Sequence, residues 1–551
     1  MGGMASKTLS LLNSWTITVM VIAGFIATPI LFVVSSIFAD GGEVWGQLVN
    51  SVLKDYIVNS FSLMIGVAIG VSVLGISTAW IVSNCDFWGR KFWQWALLMP
   101  LAIPAYILAY VYTDLLGYYG PFQALLRGLF NWTNANQYWF PNVRSMGGAI
   151  AMFTLVLYPY VYLLTRVAFL EQSRRTLEAA RSLGSGPWRS FGRIALPLAR
   201  PAIFSGVALV LMETLSDFGT VQYLGVSTFT TGIYRTWFGR DNRIAAAQLA
   251  AILMIFILIL IVVERWSRRR SRYYETGGNH PSSLLYELTG FKGVLATIAC
   301  AFPVAIGFVI PGVRLTYLTI AHWEETMDQS FWQLGNHSLL LALITAAITL
   351  IMAIIMGYGQ RLMPTLPMKL AVRVAASGYA IPGSVIAVGI MIPIGQLDNA
   401  IDSFARSLFG LSTGLIFSGT IVALLFAYVV RFLAVGFSAV ESSLGKVTPN
   451  LDEASRSLGY APLHTLVKVH LPIIVPGLLT SAILVFVDVM KELPATLVIR
   501  PFNFDTLAVR VYQYASDERL IEASAPALAI VMVGIIPVIL LSWQITKTSQ
   551  S

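Results

Sequence analysis

Long apolar runs, broken by short polar stretches, set the pattern of this chain. A helix that crosses a bilayer needs about 20 predominantly apolar residues. Runs of that order fall near 15–38, 59–82, 92–115, 146–170, 202–222 and 245–264. A second set falls near 293–313, 337–358, 370–395, 413–438, 475–493 and 524–545. The pattern predicts an all-α integral membrane protein of about twelve transmembrane helices in two groups of six. The runs near 202–222 and 475–493 carry acids within them. The first run follows one charge, Lys7, and is longer than the roughly 7–15 residues of a signal-peptide core, so it is read as a retained helix although "IFAD" at its end resembles a cleavage site.

The two groups are copies of one another. "EAARSLGSGPWRSFGRIALPLARPAI" begins at Glu178, and "EASRSLGYAPLHTLVKVHLPIIVPGL" begins at Glu453, 275 positions later. Gly184 and Gly459, Pro197 and Pro472, Pro201 and Pro476, Thr231 and Thr506, and Arg235 and Arg510 keep that offset. Upstream, "LAIPAYILA" around Pro104 parallels "YAIPGSVIA" around Pro382 with an offset of 278. The expected organisation is a first repeat over 1–275 with a polar loop at 171–201, a basic and polar linker over 276–292, and a second repeat over 293–551 with its polar loop at 441–476. Like halves around a central path are a common plan for transporters.

Composition supports the bilayer as solvent. Charged residues are 11% of the chain and hydrophobic residues 56%, with a mean hydropathy of +0.73. A soluble domain carries about 25% charge. The net charge of +9 raises nucleic acid as a partner, but the basic residues concentrate in alternate connecting segments, as membrane orientation requires. With a cytoplasmic N-terminus, the segments holding Lys7, Arg90 and Lys91, both polar loops, "ERWSRRRSRYY", Arg361 to Arg373 and Lys547 all lie inside. Both termini and both loops are therefore expected in the cytoplasm, and no nucleic-acid partner is expected.

Each polar loop reads as two short helices. In the first, "RRTLEAARSLG" ends at Gly184, which can adopt a left-handed cap, and Pro187 suits the first turn of the next helix. Ala179 and Ala180 are small enough for another surface to approach, and Glu178 offers a charge. The second copy keeps Glu453, Ala454 and Gly459, replaces the second alanine with Ser455, and adds Asp452. An amphipathic helix that only anchors the fold would explain one such loop. Two copies at matched places argue for a shared partner.

Glu-Ala-Ala, a later Gly, then Ile/Val-x-Leu-Pro resembles the cytoplasmic signature loop, the EAA motif, of bacterial ABC importer permeases. The likeness covers both halves, so the chain resembles the fused form of that family, one polypeptide in place of two permeases. The resemblance implies the type I ABC importer permease fold in a bacterial inner membrane. It implies coupling helices that dock on two copies of a separate ATPase subunit, through Glu178, Ala179, Ala180, Gly184, Glu453, Ala454, Ser455 and Gly459. It also implies a periplasmic solute-binding protein as partner. "SDFGTVQYLGVSTFTTGIYRTWFG" from Ser216 and "MKELPATLVIRPFNFDTLAVRVYQYASDERL" from Met490 are similar to segments of ferric-ion permeases. Ferric iron is the expected solute, with thiamine or a phosphonate as alternatives on the same architecture.

The chain holds no GxxxxGK[ST] phosphate loop, no HExxH and no nucleophile elbow. It is not expected to be an enzyme or to hold a cofactor or a resident metal. ATP and Mg belong to the partner. Cys85 and Cys300 form no CxxC, and the histidines at 280, 322, 337, 464 and 470 are scattered. After each loop come acids at matched sites, Glu213 and Asp217 in "METLSDFG", and Asp488 and Glu492 in "DVMKELPA" with Lys491 beside them. A charge inside the membrane costs roughly 2.5–3.5 kcal/mol on insertion scales, so it faces a cavity or a partner. These five residues are the expected lining of the translocation path, and their simpler role is to lock helices together. A secondary transporter would share the helix number and the intramembrane charges but needs no paired docking loops.

Overall fold

The computed structural model describes residues 14–171, 186–269 and 285–548. In chain order its main helices are α1 (Ser14–Ser35), α2 (Leu53–Asn84), α3 (Ala105–Leu116), α4 (Pro121–Phe130), α5 (Met146–Glu171), α6 (Leu196–Ser216), α7 (Gly219–Tyr223), α8 (Arg243–Arg269), α9 (Phe291–Val304) and α10 (Ile310–Ala321). There follow α11 (Gln329–Leu362), α12 (Gly383–Phe409), α13 (Ile421–Gly445), α14 (Pro449–Ser457), α15 (Leu471–Met490), α16 (Pro494–Ile499), α17 (Leu507–Ser516) and α18 (Leu520–Thr548). Among the described residues 11 spans are long and apolar enough to cross a membrane, and 12 if the pair 90–102 and 105–130, bent by 89°, counts as one. The protein is an all-α membrane protein of the predicted helix number. Its described strands are a two-residue parallel pair, Cys85–Asp86 with Tyr286–Glu287, at the end of the linker.

Two spans differ from the apolar runs. The run near 202–222 belongs to a span from Trp188 to Ser216, and that near 475–493 to one from Pro462 to Met490. Both begin earlier because Pro197 and Pro472 stand in the first turn of α6 and α15, where proline is tolerated, rather than at a bend. Both stop just before the second acid of each matched pair, Asp217 and Glu492, and contain the first, Glu213 and Asp488.

The chain folds as two compact units that exchange the ends of the repeats. One contains Gln47–Gly232, Ile255–Asp328 and Val511–Ser551, so the first repeat gathers α9, α10 and α18. There Arg314 of α10 pairs with Asp114 at 2.8 Å, and the Tyr112 hydroxyl donates to the carbonyl of Ile306 at 2.7 Å. The other contains Met1–Gly46, Ile233–Met254 and Gln329–Arg510, so the second repeat gathers α1. In it a Cβ on Gly389 of α12 would lie 3.0 Å from the carbonyl carbon of Pro29, and Gln248 donates to the carbonyl of Ala39 at 2.8 Å.

Backbone geometry repeats with the sequence. Pro104 (φ −58, ψ 142) and Pro382 (φ −55, ψ 142) each precede a helix start, α3 and α12. Widened helical turns occur at Phe191–Ala195 and at Leu466–His470, again 275 positions apart. Such turns recur at functional sites.

Close helix packing is also matched, with sizes reversed. In one unit Val161 of α5 wedges between glycines. A Cβ on Gly75 of α2 would lie 2.8 Å from the Val161 Cβ, and one on Gly206 of α6 would lie 2.9 Å from its Cα. In the other unit Gly436 of α13 takes the place of Val161. A Cβ there would lie 2.8 Å from Thr349 Cγ2 of α11, and Ser481 of α15 donates to the Gly436 carbonyl at 3.2 Å. Small residues let membrane helices approach closely. We predict that Gly436→Val lowers the thermal midpoint in detergent, since overpacking costs about 1–3 kcal/mol. Adding Thr349→Gly and Ser481→Gly, which copies the first-repeat arrangement, restores it. A triple variant no more stable than the single one refutes this account of the crossing.

Candidate functional site

The second polar loop is fully described. Thr448 adopts an extended conformation and Pro449 opens α14, a start that needs no amide donor at its first position. The helix ends in a Schellman cap. Gly459 stands at φ +81, its N–H donates to the Arg456 carbonyl at 2.9 Å, and the Tyr460 N–H donates to that of Ser455 at 3.1 Å. The left-handed glycine anticipated at this position is present. The Ser455 hydroxyl lies inside, 2.6 Å from that of Thr465, and so closes α14 onto the base of the next helix. Glu453, Ala454, Arg456 and Leu458 face outward. Of the residues expected to dock in this copy, Glu453 and Ala454 are thus outward, while Ser455 shapes the loop from within. Glu178, Ala179, Ala180 and Gly184 of the first copy lie outside the described residues.

A charge cluster fixes this loop to the bundle. Arg361, in the last turn of α11, donates to Asp452 Oδ2 from Nη2 at 2.6 Å and from Nε at 3.0 Å. The same guanidinium donates to the carbonyls of Leu444 and Val447, each at 2.8 Å, and so satisfies acceptors at the C-terminal end of α13. One turn back on α11, the Tyr358 hydroxyl donates to the Pro462 carbonyl at 2.7 Å. His470, fully buried at the foot of α15, places Nε2 3.1 Å from Asp452 Oδ1. Asp452 therefore joins α11, α14 and α15. Sequence reasoning noticed Asp452 only as a neighbour of Glu453 and used Arg361 only for topology. The signal that could have paired them is a lone arginine closing a span opposite a first-turn acid.

The matched acids stand at helix breaks. Asp217 follows the last residue of α6. Its Oδ1 accepts from the N–H groups of Thr220 (2.8 Å) and Val221 (3.3 Å), and its Oδ2 from the Thr220 hydroxyl (3.0 Å). It thus caps α7. Glu492 does the same for α16, accepting from the N–H groups of Ala495 (2.9 Å) and Thr496 (3.0 Å). Glu492, only 4% exposed, also pairs with Arg431 of α13 at 2.8 Å. Gly383 adjoins this pair, since a Cβ there would lie 2.7 Å from Glu492 Oε1. Asp488 and Lys491 pair with each other at 2.9 Å and remain part-exposed. Glu213 is half-buried, one turn before Asp217 on α6. Arg431 had drawn no attention in the sequence, where it is one cation within an apolar run.

Away from the polar loop, the unit of the first repeat holds a cavity of about 770 Å3. Tyr110, Tyr118, Tyr138 and Tyr223 line it, with the Arg314–Asp114 pair and the Arg144–Glu518 pair, also at 2.8 Å. The Tyr223 hydroxyl, and after it Glu518, hold the Arg144 guanidinium above its ordinary pKa.

Residues 71–273 match the family of binding-protein-dependent transport system inner membrane components. The match spans the first polar loop and the helices on either side of it in the sequence. Over nearly its whole length the chain is similar to ferric permeases. It is 26% identical over 495 residues to the Fe(3+)-transport system permease protein FbpB 2 of Haemophilus influenzae, covering 89% of this chain and 90% of that one. It is 25% identical over 513 residues to the ferric transport system permease protein FbpB of Actinobacillus pleuropneumoniae, covering 87% and 70%. The molybdenum transport system permease protein ModB of Escherichia coli is 27% identical over 204 residues, 36% of this chain and 86% of its own length. The matched segment ends just before residue 276, and the ferric relatives align across both repeats.

The cluster around Asp452 generates a prediction for the permease. Removing one partner of a largely buried ion pair costs about 3 kcal/mol or more. Asp452→Asn should lower the thermal midpoint and speed proteolysis after Arg456, whereas Glu453→Gln, on the outward face, should do neither. Equal midpoints for the two variants would show that the cluster does not hold the loop.

Proposed function

We propose that the chain is the membrane permease of an ATP-driven importer that brings ferric iron, delivered by a periplasmic binding protein, into the cytoplasm. The observation that carries the reading is the second polar loop. It presents Glu453 and Ala454 on a short, capped helix that Asp452 and Arg361 tie to the ends of the spanning helices. A surface so placed can receive a push from a soluble subunit and pass it to the bundle. The near full-length likeness to ferric permeases supports iron as the solute. ATP and Mg are assigned to a separate ATPase, present as two copies because the docking paragraph occurs twice. Both termini and both loops are assigned to the cytoplasm from the distribution of Lys and Arg.

Glu213, Asp217, Asp488, Lys491 and Glu492 belong to the translocation path in this proposal, with divided tasks. Asp217 and Glu492 hold the helix breaks that shape it. Glu213, Asp488 and Lys491 offer their polar atoms to the solute, and hard carboxylate oxygens suit a ferric ion.

The experiment is reconstitution with the neighbouring ATPase and binding protein. Glu178→Ala with Glu453→Ala should leave the fold intact, weaken ATPase attachment roughly tenfold or more, equivalent to about 1.4 kcal/mol, and abolish solute-stimulated ATP hydrolysis. Gly459→Val should act in the same way by forbidding the left-handed turn. Wild-type uptake by the glutamate double variant would remove the coupling role. Uptake driven by a proton gradient without any ATPase would instead identify a secondary transporter, and stimulation by loaded thiamine- or phosphonate-binding protein would reassign the solute.

Asp488→Asn with Lys491→Gln should reduce iron uptake while leaving the thermal midpoint nearly unchanged. Asp217→Asn and Glu492→Gln should lower both. Wild-type iron uptake in all of these variants would exclude the acids from the path.

A further inference from the structure

Each repeat carries, at the end of its unit remote from the polar loop, a helical segment whose polarity is inverted. In the first repeat this is α4. Phe122, Leu125 and Leu129 lie at positions i, i+3 and i+7, and all three are exposed, as is Phe130. One of the two polar residues of the helix points inward. Gln123 is buried, donates to the Leu116 carbonyl at 2.7 Å and accepts from the Tyr138 hydroxyl at 2.6 Å.

In the second repeat the outer part of α12 does the same. Leu397, Phe404 and Leu408 form an exposed stripe, and Phe409 and Leu411 extend it. Its acids face the protein. Asp398 is fully buried and accepts from the N–H groups of Phe417 and Ser418 at 3.0 and 2.7 Å, while Asp402 accepts from those of Thr413 and Gly414 at 2.8 and 3.1 Å. The cations are engaged as well. Arg127 donates to the Tyr118 carbonyl at 2.7 Å, and Arg406 pairs with Asp402 at 2.7 Å.

A segment that exposes a stripe of leucines and phenylalanines, with Gln123 or Asp398 buried beneath it and polar groups such as Asn399 and Arg406 beside it, is built for the boundary between apolar and polar surroundings. Water and a loosely docked soluble partner would both select the reverse arrangement. The segments are continuous with spanning helices: α4 follows α3 after a short turn, and the second stripe is the end of α12 itself. We propose that α4 and the outer end of α12 lie in the headgroup boundary of the leaflet opposite the polar loops, with these stripes buried in lipid. Interfacial helices sink about 5–10 Å into that boundary. Because the local cations are spent on internal contacts, attachment rests on apolar burial and does not require anionic lipid. The two segments thereby fix the height of the helix breaks at Pro104 and Pro382 against the bilayer surface, whichever solute is carried.

The test uses the full chain in phosphatidylcholine vesicles. Its native cysteines, Cys85 and Cys300, are both buried, so an introduced cysteine takes a nitroxide label selectively. Labels are placed at Leu125→Cys and Phe404→Cys, and at Asn136→Cys, an exposed polar position, as the aqueous reference. The expected result is a ratio of oxygen to nickel-chelate collision several times higher at 125 and 404 than at 136, unchanged when anionic lipid is added. A label at either stripe that meets nickel as the one at 136 does, or that is shielded from both reagents, overturns the proposal. Exposure to nickel would mean water at that face, and shielding from both would mean a protein cover.

Discussion

Amide groups freed where a membrane helix breaks need a partner that the hydrocarbon does not supply. This constraint organises the structure. Both repeats interrupt their helices before Pro104 and Pro382, and again after α6 and α15. At the second pair of breaks a carboxylate answers the need, Asp217 for α7 and Glu492 for α16, each receiving the N–H groups three and four positions on. The acids are therefore at once costly charges in an apolar run and the condition for the run to end where it does. At the polar-loop end of the second repeat the unsatisfied groups are carbonyl acceptors, and Arg361 supplies the donors to α13.

The repeats meet common demands with different residues. Val161 between two glycines and Gly436 between Thr349 and Ser481 fill the same crossing with the bulk moved from one helix to its neighbours. Glu492 is neutralised by Arg431, whereas Asp217 accepts from the hydroxyl and amides of its own cap. A duplicated fold thus keeps its backbone breaks while its charges diverge.

Much of this was legible from the chain. The helix number, the repeat and the left-handed Gly459 follow from apolar run length and from residues whose backbone preference is local. The residues that lock the site were not legible, because their meaning is set by partners far away in sequence. Arg361 and Asp452 are 91 positions apart, and Arg431 and Glu492 are 61. Nor does sequence spacing reveal that α1 packs with the second repeat, or that residues 90–102 and 105–130 meet at 89°. The inward turn of Ser455 shows the same limit. Its small size suggested a docking surface, but its hydroxyl is committed to Thr465, so size was kept for packing and the outward contact rests on its neighbours.

Under the proposed function, the position of Asp452 bears on how a soluble ATPase could act on the membrane helices. A push on an isolated surface helix would be absorbed by its linkers. Here α14 cannot shift without straining the bond to Arg361 at the end of α11, the contact with His470 at the foot of α15, and the Ser455–Thr465 bridge. His470 closes the widened turn Leu466–His470, the place in α15 where the regular hydrogen-bond ladder is already relaxed. The far end of that same helix carries Asp488, with Lys491 and Glu492 just beyond it. Helix α15, 20 residues long with Pro476 inside it, therefore runs from the clamp to the capped break and places the two at its opposite ends. The widened turn and Pro476 are both near its foot, and at both the regular hydrogen-bond ladder is interrupted.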